Sequence, residues 1–394
     1  MNAKTSTRRL DIDWLRIILI LSVFFFHSNR FFNGEDWHVA NSTASRLSGG
    51  IIGIMYPWMM PTIMVLSAAS IAFALSGRST GKFVVDKVKR LLIPLIFGIF
   101  VLALPQVYLE RVSHGVFAGS LIQFFPHFFE GWYGFGGNFA WIGLHLWYLL
   151  VLFIYTLIFL PLFQLLRTKI GSAVVRGFAW LFSKPGLIYL LVILPTLTIE
   201  LVSEDSPLGM TDFGGISLAS YFVYFLLGFL IFSDDRLQRA IIRQRWVSLV
   251  LCIGLYLIRG RYELGLNISW GQAFEDIVPL ESGFAWTAIL TILGIGMRYL
   301  KADNRFLRYA NEAVLPFYML HQTVLIVIGF FVVQQPWSIL VKWAVITPLS
   351  LVSILLIYEF LVRRSNVLRF LFGMKAIKRA KAVEPVLAPA VDAH

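Results

Sequence analysis

The sequence predicts an all-α, polytopic integral membrane protein of about ten transmembrane helices, with the N and C termini both cytoplasmic. Three observations carry that reading. Apolar residues make up 58% of the 394, and charged residues only 14%, against about a quarter in soluble domains. Apolar runs long enough for about 30 Å of hydrocarbon recur along the whole chain. Lysine and arginine then take sides. Of the 34 in the chain, 27 fall on one set of alternate connecting segments, while Arg30, Arg46, Arg111, Arg259 and Arg261 fall on the other. The richer set marks the cytoplasmic face.

The ten expected spans are residues 12–32, 51–76, 91–110, 141–166, 186–202, 216–233, 246–259, 283–300, 313–334 and 337–362. The fifth starts after the break Lys184-Pro185-Gly186, and the seventh is short. The N-terminus lacks a short apolar core followed by a small-residue cleavage site, so the first span is read as retained. The outer segments combine acidic residues with aromatic ones: Glu35, Asp36, Glu130, Glu204, Asp205, Asp212, Glu263, Glu275, Asp276 and Glu281, with Trp37, Trp132, Tyr133 and Trp270. An interfacial aromatic belt explains the tryptophans; a sugar-binding surface would use the same residue types. The longest outer segment is 111–140. Residues 1–375 read as one membrane-embedded domain, and 376–394 as a disordered cytoplasmic tail. No period of 20 to 50 residues recurs, and the two halves show no visible symmetry.

Composition also excludes. The net charge of +12 is spread in short clusters between apolar runs, as topology signals are, so no nucleic-acid partner is expected. Cys252 is the only cysteine, which rules out an intramolecular disulfide and a thiolate zinc cluster. There is no Walker loop, dinucleotide fingerprint, Gly-x-Ser-x-Gly or HExxH.

The chemistry concentrates in LDIDWLRIILILSVFFFHSNRFF, residues 10–32. Arg16 and His27 lie eleven residues apart, about 16 Å of rise with a net rotation of only about 20°. Both project from one face at two depths, and ionisable groups inside a span face a protein interior or a water-filled cavity. The plain alternative is a snorkelling arginine and a satisfied core histidine; the shared face weighs against two accidents. Asp13, three residues before Arg16, can pair with it along the helix. His145 and His321 also lie in spans, His145 near the outer side and His321 in the inner half to the middle. His38, His114, His127 and His394 read as solvated. No metal is expected, because His27 and His145 lack a third ligand. An outer-leaflet histidine is better used as a general base. Lys87 and Arg90, three apart at a helix start, share a face and with Arg16 could hold a polyphosphate arriving from the cytoplasm; positive-inside retention explains most of the surrounding cations. Glu359, four residues before Arg363, reads as half of a structural ion pair.

The entry Asp13-x-x-Arg16, ten residues and then His27 resembles the first helix of the acyltransferase 3 family of membrane acyltransferases. VKRLLIP and LPQ (88–94, 104–106), HLWYLLVLFI (145–154), NEAVLPFYMLHQTV (311–324) and LLIYEFLVRRSNVLRFLFGMK (355–375) resemble further helices of its glucan-modifying branch. The likeness runs from about residue 10 to 375. The chain departs at Leu66-Ser67-Ala68, where the family usually has Leu-Ser-Gly, and that leaves a role for Ser67 open.

The resemblance implies acyl transfer, succinyl or acetyl, from a cytoplasmic acyl-CoA to a hydroxyl of an extracytoplasmic glycan such as periplasmic glucan. It implies an enzyme of the cell inner membrane, with acyl-CoA as substrate and no permanently bound cofactor. In that reading His27 and Arg16 are catalytic, and Arg16, Lys87 and Arg90 hold the donor. Asp13, His145, Trp147, Tyr318, His321 and Glu359 support them. An acyl-histidine intermediate, a homo-oligomer and glycan-synthesis partners stay open. The rival reading is a transporter or flippase of an anionic glycan or lipid, with Arg16 and His27 as binding site or proton relay. A third is a structural subunit of a polysaccharide complex, in which no single polar residue is indispensable.

Overall fold

The computed structural model describes residues 8–74, 79–211, 213–263 and 280–377. Helices occupy it throughout, and among the described residues the only β-pairing is one isolated bridge between Trp132 and Phe139. The chain forms α1 (Leu10–Arg30), α2 (Arg46–Ala74), α3 (Thr80–Ser113), α4 (Leu121–His127), α5 (Leu144–Ile158), α6 (Leu160–Leu166), α7 (Lys169–Phe182), α8 (Leu187–Leu201), α9 (Leu218–Ser233), α10 (Asp235–Glu263), α11 (Leu280–Tyr299), α12 (Arg305–Val332), α13 (Ile339–Val362) and α14 (Asn366–Leu371).

Six of these, α2, α3, α10, α11, α12 and α13, are long and apolar enough to cross a membrane, and two bent pairs raise the number to eight. The chain is therefore a multi-pass membrane protein. The expected ten included α1, which carries Asp11, Asp13, Arg16 and Arg30, and α9, which has 16 residues; neither is in that set. Two boundaries also move. The expected fifth span is the second limb of a pair, α7 and α8, bent by 118° where Gly186 takes φ 83° after Pro185. The expected short seventh span is the end of α10, which begins at Asp235. Polar residues on its first turns had hidden its start. Trp270, Asp212, Glu275, Asp276 and the tail from 378 lie outside the described residues.

The helices that build the site are α1, α2, α3, α5 and α12. α1 packs on α12, α2 and α11, and α12 packs on α3 and α13. α3 is one long helix interrupted by two π turns, Val88–Leu92 and Ile99–Ala103. Each is followed by a proline, Pro94 and Pro105, in the first two positions of the next regular stretch. A proline has no N–H for the carbonyl one turn back, and the widened turn accommodates that loss. The first π turn carries Arg90.

Close helix contact is set by small residues. A Cβ on Gly228 of α9 would lie 2.4 Å from the Val65 carbonyl oxygen and 2.7 Å from Val65 Cα in α2, backbone atoms that cannot swing aside. Gly228→Ala should therefore destabilise the protein by about 1–3 kcal/mol, the usual overpacking loss. Gly254→Ala in α10, where nothing lies within 4 Å, should not. Thermal unfolding of both variants in detergent checks this, and equal stability would mean that α2 and α9 pack less closely than described.

Candidate active site

Two cavities approach each other from opposite ends of this bundle. The first, about 280 Å³, lies between the first halves of α1, α3 and α12, the end of α2 and the middle of α5. Arg16, Lys87 and Arg90 line it with Asp86, over apolar walls from Leu19, Ile63 and Leu152. Lys87 and Arg90 thus share a cavity as their spacing predicts. Arg16 hydrogen-bonds Ser70 and stands 3.8 Å from Asp13. Asp13 is bound more closely by Arg8, at 2.7 Å, so it holds Arg16 less than its spacing implies. Ser67 lines the same cavity, donating to the Ile63 carbonyl at 2.7 Å and sharing a hydrogen bond with Tyr148.

The second cavity, about 530 Å³, lies between the ends of α1 and α3, the starts of α2 and α5, and the loops beside them. His27, His145 and Trp147 line it. Trp147 and Tyr148, consecutive in α5, therefore face the two different cavities.

Between them stands a partition of aromatic and imidazole rings. Tyr318 lines the first cavity, and its hydroxyl donates to the His145 carbonyl at 2.5 Å. The His321 ring lies 5.0 Å from those of both His145 and His27. His321 therefore lies beside His27 in the bundle, on α12, which begins at Arg305, capped by Asn304, eight residues before the expected start of the span.

Carbonyl partners assign the protons on all three rings, since a carbonyl can only accept. His27 Nδ1 donates to Val23 O at 2.9 Å, His145 Nε2 to Met319 O at 3.0 Å, and His321 Nδ1 to Tyr318 O at 2.5 Å. His321 Nε2 is then the acceptor facing His27 Nδ1–H at 3.2 Å. His27 Nε2 keeps its lone pair and takes no hydrogen bond from any described residue. Among the described residues no three His, Cys, Asp or Glu side chains stand together as a metal-ligand group.

His38, which its loop position marks as solvated, is largely buried. His38 is paired with Glu110, their side chains 11% and 7% exposed, and both line the His27 cavity. Gln106, Glu110 and Gln322 are further buried polar residues that sequence reading left unassigned. LPQ and LHQ held Gln106 and Gln322, but only the fold joins them, at 3.0 Å. Glu359 keeps its structural reading: it binds Arg363 at 2.9 Å and lines neither cavity.

The family profile described as an acyltransferase domain matches residues 9–359, nearly the whole chain. The chain belongs to the acyltransferase 3 family. Its relatives include the glucans biosynthesis protein C of Salmonella heidelberg strain SL476, 24% identical over 95% of this chain and 97% of that protein. That of Escherichia coli strain SMS-3-5 / SECEC is also 24% identical, over 98% and 100%. No solved structure matches the chain.

If the two cavities open on opposite sides of the bilayer, single cysteines at Glu35 and Asp86, introduced with Cys252→Ser, should react with an impermeant maleimide from opposite sides of sealed vesicles. Labelling of both from one side would mean that the cavities share an entrance.

Proposed function

We propose that this acyltransferase moves an acyl group, succinyl or acetyl, from acyl-CoA in the Arg16 cavity to a hydroxyl of an extracytoplasmic glycan in the His27 cavity. The glycan class is suggested by the relatives' name. The observation that carries the reading is the meeting of two cavities at a partition whose His27 offers an unprotonated nitrogen. In this reading α1 and α9 also cross the bilayer, giving ten crossings. Both termini are then cytoplasmic, in the inner membrane, as the asymmetry of lysine and arginine favours.

The Arg16 cavity is at the lower edge of the range for small-ligand sites, about 300–1,000 Å³. It would take the thin acyl–pantetheine end, leaving the donor's phosphates at the mouth with Lys87 and Arg90. Arg16 would hold that end or polarise the thioester carbonyl. The acceptor oxygen attacks the carbonyl carbon while His27 Nε2 takes its proton. The C–O bond forms, the C–S bond breaks, and the thiolate is left among the cations to be protonated as free CoA. His321 accepts from His27 Nδ1–H and keeps the ring in the required tautomer. Tyr318 and His145 brace the partition, and Trp147 forms part of the acceptor wall. A transporter would need a through path, and Tyr318, His145 and His321 stand where it would run.

His27→Gln should lower acyl transfer by about 100- to 10,000-fold, the scale of a positioned acid–base group, with expression, melting temperature and donor affinity near normal. Residual activity that merely follows the amount of folded protein would make His27 a packing residue. Arg16→Ala and Lys87→Ala should each weaken donor binding by about 1.5–3 kcal/mol if they bind anionic or carbonyl oxygen. Calorimetry with acyl-CoA reads this directly, and unchanged affinity would assign both cations to topology.

A further inference from the structure

The acyl transfer just described leaves one buried charge cluster unused. Glu110, near the end of α3, is 5% exposed, and both carboxylate oxygens are occupied. Oε2 accepts from His38 Nδ1 and from the Tyr133 hydroxyl at 2.7 Å. Oε1 accepts from Arg111 at 2.9 Å. Burial, and the Glu110 charge beside it, push the Tyr133 hydroxyl well above its usual pKa, so it stays a donor.

With its proton on Nδ1, His38 presents a lone pair at Nε2, which the Gln322 amide fills at 3.1 Å. The same amide donates its second proton to Gln106 Oε1 at 3.0 Å. One line of bonds, Arg111 to Glu110 to His38 to Gln322 to Gln106, thus anchors the loop between α1 and α2 to both α3 and α12. The residue beside His38 in that loop is Trp37. Its ring faces that of His27 at 6.1 Å and 28° and meets Phe31 edge-on at 4.7 Å.

A loop could be held down by apolar packing without the desolvation cost of a buried carboxylate. Here the buried carboxylate is spent where Trp37, His38, Glu110, Tyr133 and Gln322 all line the cavity that holds His27. We propose that Glu110 is a positioning residue for the acceptor. Acting through His38, it fixes Trp37 as the aromatic wall against which a sugar ring of the acceptor rests, so that its hydroxyl meets His27 Nε2. Aromatic walls suit this ligand class because the apolar face of a sugar ring packs on them while its hydroxyls meet polar neighbours. This inference rests on the proposed function.

The test is steady-state transfer from acyl-CoA to a short glucose oligomer by wild type, Glu110→Gln, Trp37→Leu and the double variant. Each single change should raise the acceptor KM at least tenfold, with the donor KM and melting temperature unchanged. Because Glu110 acts through Trp37, the double variant should lose no more than the worse single one. Additive losses, an unchanged acceptor KM, or equal loss on donor and acceptor would overturn the proposal. Should Glu110→Gln not fold, Trp37→Leu, a change in a loop, decides alone by the same KM split. Oligomer binding to the His27→Gln protein, followed by calorimetry, separates the two readings. Binding that needs Trp37 and Glu110 in a protein that transfers nothing would retire the chemistry and keep the acceptor site. Normal transfer with an unmoved acceptor KM would do the reverse.

Discussion

The seam between α1 and α12 is the constraint on which the rest of the site depends. Near one end, a Cβ on Gly329 would lie 2.1 Å from Phe31, so α12 can approach the end of α1 only because residue 329 is glycine. A few turns away the same approach brings His321 Nε2 to 3.2 Å from His27 Nδ1. Phe24 and Phe317 close the seam between the two histidines and the Arg16 level, at 5.6 Å edge to face. Moving the helices apart by one methyl group would therefore loosen one of the two hydrogen bonds that hold the proton on His27 Nδ1.

The bilayer makes that bond matter. A polar group in hydrocarbon has no water to fall back on, and the polar residues between the two cavities bind backbone or one another. Gln106, fully buried, donates to Leu102 O at 2.9 Å and to Thr323 at 2.8 Å and accepts from Gln322. His145 spends one nitrogen on a carbonyl, and its other faces the Gln106 amide at 3.5 Å, whose two protons are already given to Leu102 and Thr323. His27 borders the second cavity, and its Nε2 lone pair takes no hydrogen bond from any described residue. Satisfied networks in a low dielectric hold their geometry firmly, which suits a site that must keep a reactive nitrogen aimed at a cavity.

How much of this was legible in the sequence follows from the distance over which each feature is encoded. The placement of Arg16 and His27 on one stripe is a property of eleven residues of helix, and the periodicity alone reveals it. That they face two cavities is not, because the walls come from α2, α3, α5 and α12. The start of α12 is hidden by its polar first turns, where an Asn304 cap rather than hydropathy marks the helix start. The spans fared likewise: α10 starts in polar residues, and the α7–α8 bend divides one apolar unit. His38 looked like an ordinary loop histidine because its partner Glu110 is 72 residues away, and nothing local to either position signals the other. Glu359 was readable, since its partner lies one turn along the same helix.

The hydrogen-bond directions in the seam also bear on where protons go in the proposed reaction. When Nε2 of His27 takes the hydroxyl proton, the ring becomes an imidazolium, and its Nδ1–H bonds to Val23 O and His321 Nε2 become charge-assisted and stronger. His321 has no onward route toward the Arg16 cavity, because its own Nδ1 proton is aimed at the Tyr318 carbonyl, which cannot carry it further. The proton on His27 therefore leaves through the cavity by which the acceptor entered. The thiolate on the far side of the partition must then find its proton on its own side, among water and the groups around Arg16, Lys87 and Arg90. In the proposed reaction, a partition built to keep one nitrogen free would also keep the two half-reactions on their own sides, so that the acyl group would cross while protons do not.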